Sequence, residues 1–203
     1  MTRSKRIFDL LLAFLLLVVL MPVMIVIAAL IRLVDGAPVF YISERMRGPD
    51  RAFGLIKFRT MKNARQDRGV TGGDKAARIT RTGRLLRRSR MDELPQVFNI
   101  LRGDMSFVGP RPPLRQYVDR FPDLYRRVLA SRPGVTGLAS LKYRHHEEKL
   151  LAVCVSLQET DETYARRCIP AKARLDLIYQ RNRSLCLDAW IILSTGVDLF
   201  RRH

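Results

Sequence analysis

Apolar positions are distributed very unevenly along this chain. From Leu10 to Leu33 almost every residue is hydrophobic, with Pro22 interrupting the middle and Arg32 marking the edge. About 20 apolar residues suffice for a helix to cross a bilayer, so residues 1–36 are expected to form a membrane anchor and residues 37–203 a water-facing domain. Beyond the anchor the period changes. Pro38 to Ser43 reads as a short strand, and Ala52 to Arg59 as a second, with Phe53, Ile56 and Phe58 among polar neighbours. Asn63 to Asp74 is polar and carries Gly69, Gly72 and Gly73, the pattern of a loop; no strand leads into the glycine pair, so it is not a phosphate-binding fingerprint.

Ile79 to Ser89 is predicted helical and basic. Asp92 to Leu101 follows as a helix with Leu94, Val97, Phe98 and Leu101 on one face, closed by Gly103. Three prolines stiffen Ser106 to Pro113 and exclude a helix there. Pro122 to Ala130 is a short helix, and Arg132 to Gly137 is a rigid turn. Glu147 to Arg167 reads as a charged helix. Ala171 to Phe200 reads as one or two amphipathic helices interrupted near Asn182, with Trp190 suited to a membrane surface. The expected fold is therefore α+β and mainly helical, with short strands and helices lying at the membrane surface.

The anchor's flanks argue against a plain span. Arg3, Lys5 and Arg6 stand on one side, Arg32, Arg45 and Arg47 on the other, whereas a spanning segment carries its positive charge asymmetrically. Pro22 removes a helical hydrogen bond and bends a helix. A re-entrant helix-break-helix, kinked at Pro22, would return both basic flanks to one negatively charged surface. The residues leave both topologies open.

Charge narrows the partners. The 203 residues hold 37 Lys and Arg against 19 Asp and Glu, a formal net charge of +18. Such a chain seeks a polyanion: nucleic acid, anionic lipid or a phosphorylated substrate. Cys154, Cys168 and Cys186 form an odd set without CxxC spacing and read as reduced thiols facing the cytosol.

The candidate chemistry sits in Met91-Asp92-Glu93-Leu94-Pro95-Gln96, directly after Arg84, Arg87, Arg88 and Arg90. These cations are expected to hold Asp92 and Glu93 ionised and to attract an anionic substrate. Paired carboxylates beside guanidinium groups suggest work on a phosphate ester with a divalent cation. The plainer reading is a helix start with Asp92 as N-cap, and the two are compatible, because a helix N-terminus also binds phosphate. Arg111 and Arg132, each held among Pro and Gly, are candidate anion clamps, although each also reads as a solvated arginine on a turn.

In series these residues resemble the bacterial sugar transferases called monotopic phosphoglycosyl transferases. The likeness runs through Lys5 to Asp9, Pro22, Pro38-Val39-Phe40, Glu44-Arg45 and Lys57 to Met61. It continues with Asp92 to Gln96, Asn99, Gly103 to Pro112 and Arg132 to Gly137, and resumes from Asp176 to Asp188. Each motif alone is weak; together, in order, they are specific.

The resemblance implies a re-entrant anchor and a catalytic domain on the cytoplasmic face of the bacterial inner membrane. It implies transfer of a sugar-1-phosphate from a UDP-sugar to undecaprenyl or another polyprenol phosphate, the step that starts glycoconjugate assembly. Asp92 would be the nucleophile, esterified to the phosphosugar as UMP leaves. Mg²⁺ with Lys57, Arg87 and Arg111 would neutralise the phosphates. Glu93, with Asp92 sharing, would hold the metal or its waters. Arg111 and Arg132 would grip the diphosphate and uridine, and Arg59, Asn99 and Pro110, from the matching motifs, complete the expected substrate-binding set.

Departures also show. Met21 precedes the membrane proline where a small residue is usual. Leu138 to Arg144 replace the usual Trp-rich continuation after Gly137, and extra residues precede Asp176. The sugar is therefore left open. The chain otherwise looks like the minimal catalytic form without further transmembrane segments. A homodimer is compatible with the pattern, which does not fix the oligomeric state.

The competing class is a membrane-tethered basic protein that binds nucleic acid or anionic lipid without catalysis. It predicts tolerance of Asp92→Asn, and it is disfavoured because the aromatic residues are not interleaved with the arginines as stacking platforms. Membrane lipids are thus expected partners and nucleic acid is not. A polytopic lipid-phosphate transferase would need more apolar segments.

Overall fold

A computed structural model describes residues 2–62 and 78–200. Its elements run α1 (Arg3–Val34), β1 (Phe40–Gly48), β2 (Arg51–Phe58), α2 (Arg81–Arg88), a 3₁₀ turn (Met91–Glu93), α3 (Gln96–Arg102) and β3 (Ser106–Val108). Then come α4 (Arg115–Arg120), α5 (Pro122–Val128), β4 (Gly134–Thr136), α6 (Leu138–Ala152) and α7 (Leu157–Thr163). A π-helical turn (Tyr164–Cys168) leads into α8 (Ile169–Asn182) and α9 (Leu185–Phe200). The expected mainly helical α+β class holds. The loop expected from Asn63 to Asp74, with its glycines, lies outside the described residues.

α1 is the one described helix long and apolar enough to cross a membrane. Thr2 caps its start by accepting from the Lys5 amide. The helix continues through Pro22. Its buried positions, Lys5, Asp9, Ala13, Met24, Ile27 and Ile31, follow three- and four-residue steps that align them along one face. The first half packs Ala13 against Phe53, Leu55, Val97 and Ile100. The second packs Met24, Ile27 and Ile31 against Phe58 and Leu86. The domain therefore touches both halves of the helix, while Leu11, Phe14, Val18, Ile25 and Leu33 stay exposed.

Buried polar contacts fix this packing. Lys5 Nζ lies 2.6 Å from Asp188 Oδ2, Tyr179 donates to Asp188 Oδ1 at 2.6 Å, and Phe107 N donates to Asp9. Arg6 donates to the carbonyls of Ile100 and Leu101, and Arg47 pairs with Asp104. Several of the cations flanking the anchor thus face the protein interior, whereas Arg3 and Arg32 are exposed.

β1 and β2 form an antiparallel hairpin, longer on the β1 side than the sequence pattern indicates. Asn99 of α3 ties it down, accepting from Ile56 N at 3.0 Å and donating to Gly54 O at 2.8 Å. β3 and β4 pair in parallel. Gly109 and Gly134 let the two segments cross, since a Cβ on either would fall onto the other's backbone. A second core gathers Met46, Tyr117, Tyr125, Val128, Ile169 and Ala173.

Candidate active site

The acidic dyad does not open a long helix as the sequence suggests. Arg90 adopts a left-handed conformation (φ 60°), Met91 to Glu93 form the 3₁₀ turn, and α3 begins only after Pro95. Proline lacks the N–H that the preceding turn of an α-helix would need, so the chain restarts there. Successive residues of so tight a turn point in different directions, and the two carboxylates meet different surroundings.

Glu93 faces cations. Its Oε1 lies 2.7 Å from Lys57 Nζ, 3.4 Å from Arg90 Nη1 and 3.6 Å from Arg111 Nη2. Burial raises its pKa, but Arg111, Lys57 and Arg90 outweigh that and hold it at about 2. Lys57, whose own pKa is lowered by burial against the pull of Glu93, reaches the dyad from β2. Asp92 is 8% exposed, and its Oδ1 is buried without a hydrogen-bond partner. Burial first, and then the charge of Glu93, push its carboxyl above the ordinary range despite Lys57, Arg90 and Arg87. The expectation that the arginines hold both acids firmly ionised thus fits Glu93; at Asp92 desolvation opposes them more strongly.

Two cavities adjoin Arg90 and Arg111, and the first also meets Glu93, whereas Asp92 and Lys57 line neither of the two. One, of about 250 Å³, is walled by Leu16, Leu20 and Met24 of α1 with Val97, Ile100 and Phe107, and reaches Arg90, Glu93 and Arg111. The other, of about 370 Å³, begins at Arg45, Arg90 and Arg111 and extends past Tyr164 and Lys172 to Asp176. Arg144 of α6 lines both. Asp176 is pushed up to about 7 by burial, with Lys172 pulling the other way, so near neutrality it can donate as well as accept.

The remaining expected residues divide. Arg87 donates from Nε to Thr60 at 2.8 Å and acts on Asp92 by its charge. Arg111 joins the dyad, following Pro110 on the segment after β3. Arg59 lies deeper than expected, donating at 2.6 Å to the carbonyls of Asp35, Gly36 and Ala37 just past α1. Asn99 binds the hairpin backbone rather than facing the dyad. Arg132 stands beside Arg6 and Arg47, near Asp9 and Asp104, not in the group around Glu93. Sequence reasoning named Arg90 within the basic run before the dyad, but it missed Arg144, Lys172 and Asp176 as lining residues.

Among the described residues no cluster of three or more His, Cys, Asp or Glu side chains gathers for a metal. Two carboxylates nevertheless fit Mg²⁺, which commonly takes one or two and completes its shell with water and substrate phosphate. The unpartnered Asp92 oxygen is the observation that favours such a ligand.

Residues 1–202 match the family described as bacterial sugar transferase. The chain is 34% identical over 197 residues to the UDP-N-acetylgalactosamine-undecaprenyl-phosphate N-acetylgalactosaminephosphotransferase of Aeromonas hydrophila, covering 94% of this chain and 42% of that protein. It is 35% identical over 201 residues to the UDP-glucose:undecaprenyl-phosphate glucose-1-phosphate transferase of Xanthomonas campestris pv. campestris, covering 96% and 38%. It is 32% identical over 208 residues to the exopolysaccharide production protein ExoY of Rhizobium meliloti (strain 1021), covering 95% and 83%. The chain thus spans less than half the length of the first two relatives and most of the third. It belongs to the bacterial sugar transferase family.

Proposed function

We propose that this chain transfers a sugar-1-phosphate from a UDP-sugar to undecaprenyl phosphate at the cytoplasmic face of the bacterial inner membrane, opening exopolysaccharide or related glycoconjugate synthesis. The observation that carries the reading is the position of the Glu93 group between a cavity walled by the apolar helix and a polar, arginine-rich one. A reaction joining a lipid phosphate to a water-soluble diphosphate needs such a meeting point, since holding both reactants in place removes much of the entropic barrier.

In the proposed first step an oxygen of Asp92 attacks the sugar-bearing phosphorus. A P–O bond forms to the carboxylate, the anhydride bond breaks, and UMP departs with the electron pair. In the second, an oxygen of the lipid phosphate attacks the same phosphorus and releases Asp92. Burial of Asp92 strips water from its carboxylate, which supports nucleophilic use. Lys57, Arg90 and Arg111 place positive charge where phosphate oxygens gather, while Glu93 holds these three groups together. Mg²⁺, when bound through Asp92 and Glu93, would supply further neutralisation of the diphosphate.

The re-entrant reading of α1 draws support from its buried face. Residues from Lys5 to Ile31 along one face of α1 pack against the domain, which holds both halves of the helix to the same body while the opposite face stays exposed. Modification of single cysteines near Thr2 and near Arg45 in sealed vesicles tests it; opposite accessibility of the two ends would refute it. The transfer itself is tested by UMP release from UDP-sugars with Mg²⁺ and undecaprenyl phosphate. A mass increase of Asp92 by the phosphosugar after donor alone is the expected result, and its repeated absence from active protein overturns the covalent route.

A further inference from the structure

The polar cavity extends beyond what a diphosphate requires. Past Arg111 it runs between α6 and α8, where a charged pair stands that phosphoryl transfer leaves unused. Lys172 Nζ lies 2.9 Å from Glu147 Oε2 and 3.3 Å from the Tyr164 hydroxyl, with the ammonium 5.1 Å from the Tyr164 ring centre. The Lys172 and Glu147 side chains keep only 12% and 21% exposure. An ion pair this dry contributes little net stability, because desolvation offsets its attraction. It does place fixed donors and acceptors on a cavity wall. The Arg111 guanidinium is held above its ordinary pKa first by Glu93, against burial, and then by Tyr164 and Glu147, so it stands between the dyad and this pair.

We propose that Glu147, Lys172 and Tyr164 form the sugar-selecting end of the donor pocket, reading the hydroxyl or acetamido groups of a hexopyranosyl ring. The inference rests on the transfer reading above. In that reaction the ring is esterified to the phosphorus that Asp92 attacks, so it must lie one bond beyond the phosphate held by Arg111. Relatives with the same named acceptor differ in the sugar they are named for, N-acetylgalactosamine in one and glucose in another. A selector is therefore expected on a part of the chain outside the motifs that serve phosphate and acceptor. α6 starts at Leu138, where the sequence leaves the pattern common to the resembling proteins, and it supplies Glu147. Charged hydrogen-bonding groups suit such selection, because a site built to bond a hydroxyl can reject an analogue lacking it by about 10⁴-fold.

The test measures UMP release by the full chain in detergent with Mg²⁺ and undecaprenyl phosphate. The donors are UDP-glucose, UDP-galactose, UDP-N-acetylglucosamine and UDP-N-acetylgalactosamine. Glu147→Gln and Tyr164→Phe are expected to shift the kcat/KM ratio between the best and next sugar by about tenfold or more, chiefly by lowering the best. Joint exchange, Glu147→Lys with Lys172→Glu, keeps an ion pair but moves its donors, and is expected not to regain the original ratio. Should Glu147→Gln not fold, Tyr164→Phe, which removes a single hydroxyl, decides alone. An equal fall for all four donors marks uridine reading or a purely structural pair and overturns the proposal, as do unchanged ratios; both leave phosphoryl transfer standing. Wild-type protein that releases UMP from none of the four overturns the transfer reading together with this one.

Discussion

Two adjacent carboxylates with opposite electrostatic fates define this protein at the residue scale. Glu93, surrounded by cations, stays ionised throughout ordinary pH, whereas Asp92 keeps a dry, unpartnered oxygen. Asp92→Asn is expected to lower UMP release about 10³-fold or more, read as single-turnover release from donor alone. Lys57→Met, which removes one charge from the phosphate side, should cost about 10²-fold in kcat. Asp176 supplies a pH signature. Its folded pKa of about 7 lies above the ordinary carboxylate value of 3.8, so the folded state favours the protonated form. Its contribution to stability is therefore greatest below about pH 4 and declines up to about pH 7. Asp176→Asn should match wild type near pH 4 and exceed it at pH 8, by no more than about 4 kcal/mol, in thermal unfolding at the two pH values. The dyad and its basic surroundings were legible because acids embedded in arginines stand out in any sequence. Asp176 was not, since its character comes from burial under distant helices. That the Arg59 guanidinium turns toward backbone carbonyls was not legible, since a motif position does not reveal a side chain's partners.

At the scale of elements, periodicity placed the long apolar helix, the two extended runs that form the hairpin and the break between the last two helices close to where they lie. It could not find β3 and β4, three residues each, because their pairing joins segments far apart in sequence and depends on two facing glycines. Nor could it foresee that Lys5 of the anchor would meet Asp188 of α9, the contact that docks the first helix onto the last. Removing one partner of so buried a pair leaves a stranded charge. Lys5→Met is expected to destabilise the fold by about 3–5 kcal/mol, and the double change Lys5→Met with Asp188→Leu to recover most of it; unfolding midpoints in detergent decide. Gly83 makes a similar case by shape. A methyl there would meet the Thr60 carbonyl, so Gly83→Ala should push α2 and its Arg87 outward and weaken donor turnover more than acceptor binding.

At the scale of the whole molecule, the long apolar helix α1 also walls a cavity. Leu20→Trp is expected to narrow the apolar cavity, raising KM for undecaprenyl phosphate about tenfold while leaving the UMP burst from donor alone intact. A matching fall in the burst would assign that cavity to the donor. Strand β2 adds a mechanical link. Lys57 at one point of it grips Glu93, and two residues later Arg59 clasps the carbonyls that follow α1. With α1 set in a bilayer, as proposed, its depth and the setting of that ammonium would not be independent variables. Vesicles of graded acyl-chain length, through hydrophobic mismatch, would move one end of this strut and retune the other, making turnover a gauge of bilayer thickness even for a donor that never leaves the water.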